Sequence, residues 1–263
     1  MSRFALQTFT VRKYLRSPRA IASGFARIRD AGLGAVELAY VKLRPAHMDA
    51  VASACAANDI AVGSSQITFD FLDKQRDWAL KLHEQLDCRI TSVSVLPFKV
   101  IRGTREHMLR FAEQLEALGA FYAGHGIQLC FHHHDFEFRR YGDDVGLDLL
   151  LANTTPQHVG LELDTYWVAR GGRSPRDMIA DLNGRVKVVH LRDLRLRQQL
   201  LGLSLAPIDC ALGQGNLDFR RIVDSCVEKG VQYMAIEQAT DRPFEDVATS
   251  VAHLKQLGYD SLF

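Results

Sequence analysis

Long apolar runs are missing from this chain: none approaches the roughly 18–20 residues that crossing a bilayer requires, so no membrane partner is expected. Neither sign of charge is in excess, with 32 Lys+Arg against 31 Asp+Glu and a net charge of +1. Such a balance sets up no field that would steer the protein to nucleic acid or to an anionic membrane. There is no CxxC pair, and the cysteines (Cys55, Cys88, Cys130, Cys210, Cys226) are odd in number and widely spaced. A zinc knuckle and a disulfide scaffold are therefore excluded, and reduced thiols are expected. The first residues, MSRFALQTFTVRKYL, lack the apolar stretch of a secretory signal, so a cytoplasmic location is expected. No Pro-rich, Ser-rich or charged linker interrupts the chain, which predicts a single domain over residues 1–263. What is present, 47% hydrophobic and 24% charged residues, is ordinary globular composition.

The pattern alternates between two kinds of segment. Short apolar, β-branched runs begin near Phe4, Ala35, Ile60, Ile90, Ile127, Val159, Val186 and Tyr233. Between them lie segments of helical period. In Thr104–Gly124, Met108, Phe111, Leu115, Leu118 and Tyr122 recur at three- and four-residue steps. In Phe219–Lys229, Ile222, Val223, Cys226 and Val227 share a face before Gly230. Pro243–Leu257 reads as the last helix. Several helices stop at a glycine just before the next strand (Gly32, Gly126, Gly230), the turn chemistry of a repeated βα unit. Eight such units predict an α/β fold, a single (β/α)8 barrel. The rival, a doubly wound open sheet, is weakened because no GxGxxG follows the first strand. One connection, Leu191–Gly215, is unusually long, and a loop of that length after the seventh strand predicts a lid over the mouth. Its Arg192, Arg195 and Arg197 are then either contacts for an anionic or polyhydroxyl substrate or simply solvated.

Barrel chemistry sits at the C-terminal ends of the strands, so polar residues there are the candidates. They are Gln7 and Thr8, Glu37, Ser65 and Gln66, then His132 to Asp135 with Glu137, Glu162 and Asp164, His190 and Asp193, and Glu237 with Gln238. Strands five to eight all end in imidazole or carboxylate, which brings donors for one divalent ion together. Period-two alternation turns His132 and His134 one way and His133 the other. Glu162 and Asp164 point the same way, and Asp164, nearer the strand end, is the expected ligand, with Glu162 a structural anion. Glu37 is open between a structural hydrogen bond and a substrate contact.

FHHHDFEF (Phe131–Phe138) resembles the YHNHDFEF signature of the sugar phosphate isomerase/epimerase family, the xylose isomerase-like TIM barrels. GLELDTYWVARGG (Gly160–Gly172), RVKVVHLRD (Arg185–Asp193), LGQGNLDFRRIV (Leu212–Val223) and AIEQ (Ala235–Gln238) are similar to that family's later segments, in the same order. FALQTFTVRKYL and AGLGAVELA match its first two βα units. The resemblance implies one divalent metal ion, Mn2+ first, with Zn2+, Co2+ and Mg2+ as the other choices. It places Asp164, His190 and Glu237 on three ligand positions. The fourth, a glutamate in the sugar epimerases, falls by its distance from Gly126 on His132. Gln66 stands where a histidine is common, Ala239 replaces an aspartate, and Trp167 stands where ketose epimerases carry a substrate-binding histidine. Gln7, Glu37, Gln66, Trp167 and Arg192 are the expected substrate contacts.

The chemistry implied is proton abstraction beside a carbonyl of a sugar or keto-sugar, through an ene-diolate that a metal stabilises. Glu237 is the expected base, with His134 or Glu137 serving the opposite face. Proton return gives an isomerase or epimerase, the expectation retained. Loss of a β-hydroxyl gives a dehydratase of the inosose or dehydroshikimate type. A non-catalytic sugar-binding barrel is the rival of another class, kept open by the absent strand-five glutamate. The endonuclease branch is disfavoured by the near-zero net charge. The expected partner is a small carbohydrate, with no nucleic acid; a homodimer is the expected assembly.

Overall fold

Each of the eight apolar runs forms a strand, since β-branched side chains suit a pleated surface buried on both faces. The computed structural model describes residues 2–199 and 202–263. The strands are β1 (Arg3–Gln7), β2 (Ala35–Leu38), β3 (Ala61–Ile67), β4 (Ile90–Val93), β5 (Gln128–His132), β6 (Val159–Asp164), β7 (Val186–Leu191) and β8 (Tyr233–Ile236). They pair in parallel, each with its sequence neighbours, and β8 closes on β1 through Ala5 opposite Ala235 and Leu6 opposite Ile236. The result is the closed (β/α)8 barrel that the alternating pattern predicts.

Helices shield the strands along their expected faces. Pro18–Asp30 starts at Ser17, whose hydroxyl accepts a hydrogen bond from the Ala20 amide, and buries Ile21, Phe25 and Ile28. Arg105–Ala123 buries Met108, Phe111, Leu115, Leu118 and Tyr122. Phe219–Glu228 is capped by Asp218 and buries Phe219, Ile222, Val223 and Cys226. Each large apolar side chain so buried contributes on the order of 1.5–3 kcal/mol from desolvation.

Two irregularities position the polar layer. Between β2 and β3 the register slips, so that Val36 faces Val62 while Glu37 faces Ser64, leaving Gly63 as the extra residue. A Cβ at Gly63 would lie 2.4 Å from the Tyr233 ring, so only glycine fits the bulge. Between β6 and β7 a second slip separates Leu161 from Glu162 and brings Asp164 beside His190.

The lid expectation is corrected. The long connection folds as an antiparallel hairpin, Asp193–Gln199 against Ser204–Cys210; of its residues, 200 and 201 lie outside the described ones. Asp193 makes the base rigid, accepting hydrogen bonds from the amides of Leu194, Gly213, Gly215 and Leu217. Among the described residues of Leu191–Gly215, Arg192 alone lines the cavity at the mouth. Arg195 and Arg197 are exposed, because they stand on the outer strand of the ribbon, whereas Ala206–Cys210 of the other strand are half-buried.

Candidate active site

Register brings the candidate side chains together: His132 lies beside Glu162, and Asp164 beside His190. His190 is fully buried at the centre of the cluster. Its Nε2 is 2.7 Å from Glu37 Oε1, and Ser64 Oγ donates to the other oxygen of Glu37 at 2.7 Å. That carboxylate fixes the ring and turns Nδ1 toward the mouth, the arrangement that orients a metal-binding imidazole. Nδ1 lies 2.8 Å from Glu237 Oε2 and 3.9 Å from Asp164 Oδ2. Asp164 divides its oxygens: Oδ1 caps the helix Thr165–Arg170 by accepting from the Tyr166 and Trp167 amides at 2.8 and 3.1 Å, and Oδ2 faces the cluster.

These residues fit a divalent ion. His132, Asp164 and His190 each offer a ligand atom, all within 4.8 Å of one another. His132 Nδ1, His190 Nδ1 and Glu237 Oε2 are buried without a hydrogen-bond partner. The last two are close but misaligned for hydrogen bonding, as lone pairs converging on a shared cation are. A second triplet, Glu37, Glu162 and His190, meets the same distance test. It is the weaker candidate, since Glu37 is already bound to His190 and Ser64.

The charges point the same way. Burial opposes charge on His190, but Glu37, Glu162 and Glu237 around it raise its pKa well above the usual value. Burial also works against Glu237, yet Arg192 and His190 hold it down to about 2. Glu162 is pushed up to about 8 by burial and by the neighbouring Glu37 charge. Asp164 is raised to about 6 by burial, against the pull of Arg192. Arg192 is held among three carboxylates, 2.7 Å from Asp209, 3.3 Å from Glu237 and 3.4 Å from Asp164. The cluster is anionic in design and draws cationic charge into a dry site.

A cavity of about 570 Å³ opens over this cluster. Of the expected site residues, Gln7, Gln66, His132, His134, Trp167, Arg192 and Glu237 line it. Four do not: Asp164 and His190 lie buried beneath its floor beside Glu237, and two others are turned away. Glu37, the expected substrate contact, lies behind His190, because the bulge at Gly63 directs it to Ser64. Glu137, an expected acid or base for the opposite face, is buried under the turn after β5, where its carboxylate accepts from the His134 amide at 2.8 Å. Burial lifts it to about 7. Ser65 also turns inward, to His83 and Thr91, and Gln238 to Ser250.

Two further residues belong to the site. His133 accepts the Asp164 amide proton at Nε2, 3.2 Å away, and its Nδ1 faces the His134 carbonyl. The ring is thus neutral, with its proton on Nδ1. Alternation correctly sends it away from His132, but its partner is on the next strand, beyond the reach of a local pattern. Asp209 holds Arg192 and accepts the Ala239 amide at 2.9 Å. It stands on the hairpin, and only the hairpin's pairing reveals its place.

The sequence pattern of the Xylose isomerase-like TIM barrel family matches residues 25–257. The chain belongs to that family. An inosose dehydratase of Salmonella agona is 30% identical to it over 163 residues, 55% of this chain and 52% of that protein. The chain thus spans about half the length of this curated relative. A solved sugar phosphate isomerase/epimerase from Parabacteroides distasonis superposes with a TM-score of 0.74 at 21% identity, over 98% of this chain and 95% of that one. A xylose isomerase-like TIM barrel protein from Mycobacterium smegmatis, solved in complex with magnesium, gives 0.74 at 15% identity over 99% and 98%. At these identities the two superpositions speak to the fold. Among xylose isomerase-like barrels this one carries its candidate ligands on β5 to β8, the strand ends that also frame the polar end of the cavity.

Proposed function

We propose that this xylose isomerase-like barrel removes a proton from the carbon beside the carbonyl of an uncharged polyhydroxy ketone, and that the reaction ends in loss of a β-hydroxyl, a dehydration. Among the described residues lining the cavity, Glu237 is the one carboxylate, and this observation carries the reading. A single base suffices for dehydration: Glu237 takes the carbon-bound proton, the C–H electron pair becomes the new double bond, and the same proton leaves with the hydroxyl as water. His132, Asp164, His190 and Glu237 would hold one divalent ion, which when bound supplies Lewis-acid polarisation of the carbonyl. Mn2+ remains the first choice; the magnesium of the mycobacterial relative keeps Mg2+ in view, and imidazole donors also suit Zn2+ and Co2+. Arg192, flanked by Asp164, Asp209 and Glu237, orients Glu237, and among the described residues no other Lys or Arg lines the cavity to meet a phosphate. Gln7, Gln66 and the neutral His134 offer hydrogen bonds to hydroxyls, and Trp167 packs against the ring. The inosose dehydratase relative turns over a cyclic ketone of this kind by its name.

Isomerisation or epimerisation is the second reading, and His134 is the observation that favours it. Its Nδ1 is buried without a partner, and burial holds the ring down to about 4, so it faces substrate as a neutral acceptor able to serve the opposite face. Incubation with an inosose and with aldose–ketose pairs in D2O, in the presence of Mn2+, separates the readings. Dehydration predicts an unsaturated ketone absorbing in the ultraviolet. Deuterated isomer or epimer without that product overturns dehydration in favour of the second reading, and no turnover with any of them sinks both.

A further inference from the structure

The mouth of the barrel is divided. The ends of β5 to β8 and the residues after them contribute His132, His134, Trp167, Arg192 and Glu237, whereas the ends of β2 and β3 and the segments after β1, β2 and β3 contribute Phe9, Leu38, Val41, Leu43, Ile67 and Phe71. Polar side chains on that second side are few, Gln7, Gln66, Thr68 and Ser94, and two of them already hold a protein partner through one atom. Gln7 accepts from the Phe9 amide with its side-chain oxygen, and Gln66 donates to Glu162. A bare polyol filling the cavity would press outer hydroxyls against carbon, and an unpaired buried hydroxyl costs free energy. Tyr40 adds a second, independent sign. It is 71% exposed at the rim of this wall, edge-on to Phe9 with ring centroids 4.9 Å apart. Its backbone is left-handed, with φ of 57°, a conformation that bulky side chains adopt rarely and at a cost. Strain of that kind collects at ligand clamps.

We infer that the substrate carries an uncharged apolar substituent, flat enough to lie between Phe9, Tyr40 and Phe71, on the side of its polyol ring away from the reacting carbons. This rests on the proposed reading in that the polar half is where the polyol reacts. The apolar half recognises the substituent and sets which polyhydroxy ketones enter. A phosphorylated substituent does not suit it, since no Lys or Arg of this side lines the cavity and the nearby Arg12 guanidinium is stacked on the Phe9 ring at 3.8 Å and bonded to the Phe9 carbonyl.

The test uses the full chain loaded with Mn2+ and two non-reacting probes, methyl and phenyl β-D-glucopyranoside, titrated by calorimetry. Phenyl glucoside is expected to bind at least fivefold more tightly than methyl glucoside. In Phe9→Ser, and separately in Tyr40→Gly, that ratio falls by half or more. Tyr40→Gly also raises the Tm, because glycine accepts the left-handed backbone without strain, so loss of selectivity there is not loss of folding. A wild-type ratio below fivefold, no measurable binding of phenyl glucoside, a ratio preserved in both variants, or tighter binding of phenyl phosphate each overturns the inference. Turnover of an inosose is measured on the same preparation. Turnover without phenyl selectivity defeats this inference alone, and selectivity without turnover of any ketone defeats the functional reading alone.

Discussion

His190 holds its place through Glu37, which never reaches the cavity. Removing that carboxylate's charge is expected to loosen the imidazole's tautomer and aim. Glu37→Gln should weaken Mn2+ binding about 10- to 100-fold, the usual effect of losing the partner behind a metal-binding histidine, and a calorimetric Kd unchanged from wild type would assign Glu37 to packing alone. Glu237→Gln keeps the shape but removes the base. Turnover should drop by about 10²- to 10⁴-fold while binding of the methyl glucoside probe changes little in comparison; a fall below tenfold would move the base elsewhere. Strand period told His132 and His134 from His133, and nearness to the strand end told Asp164 from Glu162, because both signals are local. It did not separate Glu37 and Glu137 from the cavity wall, because a bulge at one glycine and a turn after β5 decide where those carboxylates go.

The eight strands and the three clearest helices stand within a residue or two of where period and glycine stops put them. The connection Leu191–Gly215 was legible only as long, not as a hairpin, since Arg195 and Arg197 alternate with leucines on an outer strand both of whose faces meet solvent. The double change Arg195→Ser, Arg197→Ser should therefore leave KM within about twofold and stability within about 0.5 kcal/mol. The hairpin acts instead through its base. Asp209→Ala frees the Arg192 guanidinium, 2.7 Å from the lost oxygen, and strips an acceptor from the Ala239 amide. The expected cost is about 1–3 kcal/mol in urea unfolding, with kcat/KM lowered at least tenfold. An effect confined to stability would make Asp209 a fold residue only.

For the molecule as a whole, buried titratable groups set the pH range. Burial depresses His133 to about 3, so the unfolded chain binds its proton first as pH falls. Its stability is present above about 6.5 and is lost progressively down to 3. Glu137 runs the other way: raised to about 7, it favours the folded state below about 4.5 and that contribution fades as pH rises through 7. Glu137→Gln mimics the protonated form. It should flatten the decline between about pH 4.5 and 7 and exceed wild type at pH 8 by on the order of 1–3 kcal/mol in urea unfolding; an unchanged slope would mean that Glu137 stays ionised throughout.

The barrel pairs every strand with its sequence neighbours, and this has a consequence for how such a protein can change. The apolar wall is encoded before Arg102 and the ligand-bearing strands after Thr104, so one crossover in the short segment between them exchanges specificity without cutting the reaction centre. Joining the part of a relative that corresponds to residues 1–103 to residues 104–263 of this chain keeps β5 to β8 and their mutual contacts together. The seams β4–β5 and β8–β1 must be re-formed, and the new first half must again place a carboxylate behind His190 and an amide against Glu162. New substrates would then arise by recombination of halves, with the acid–base and metal-binding groups inherited as a block.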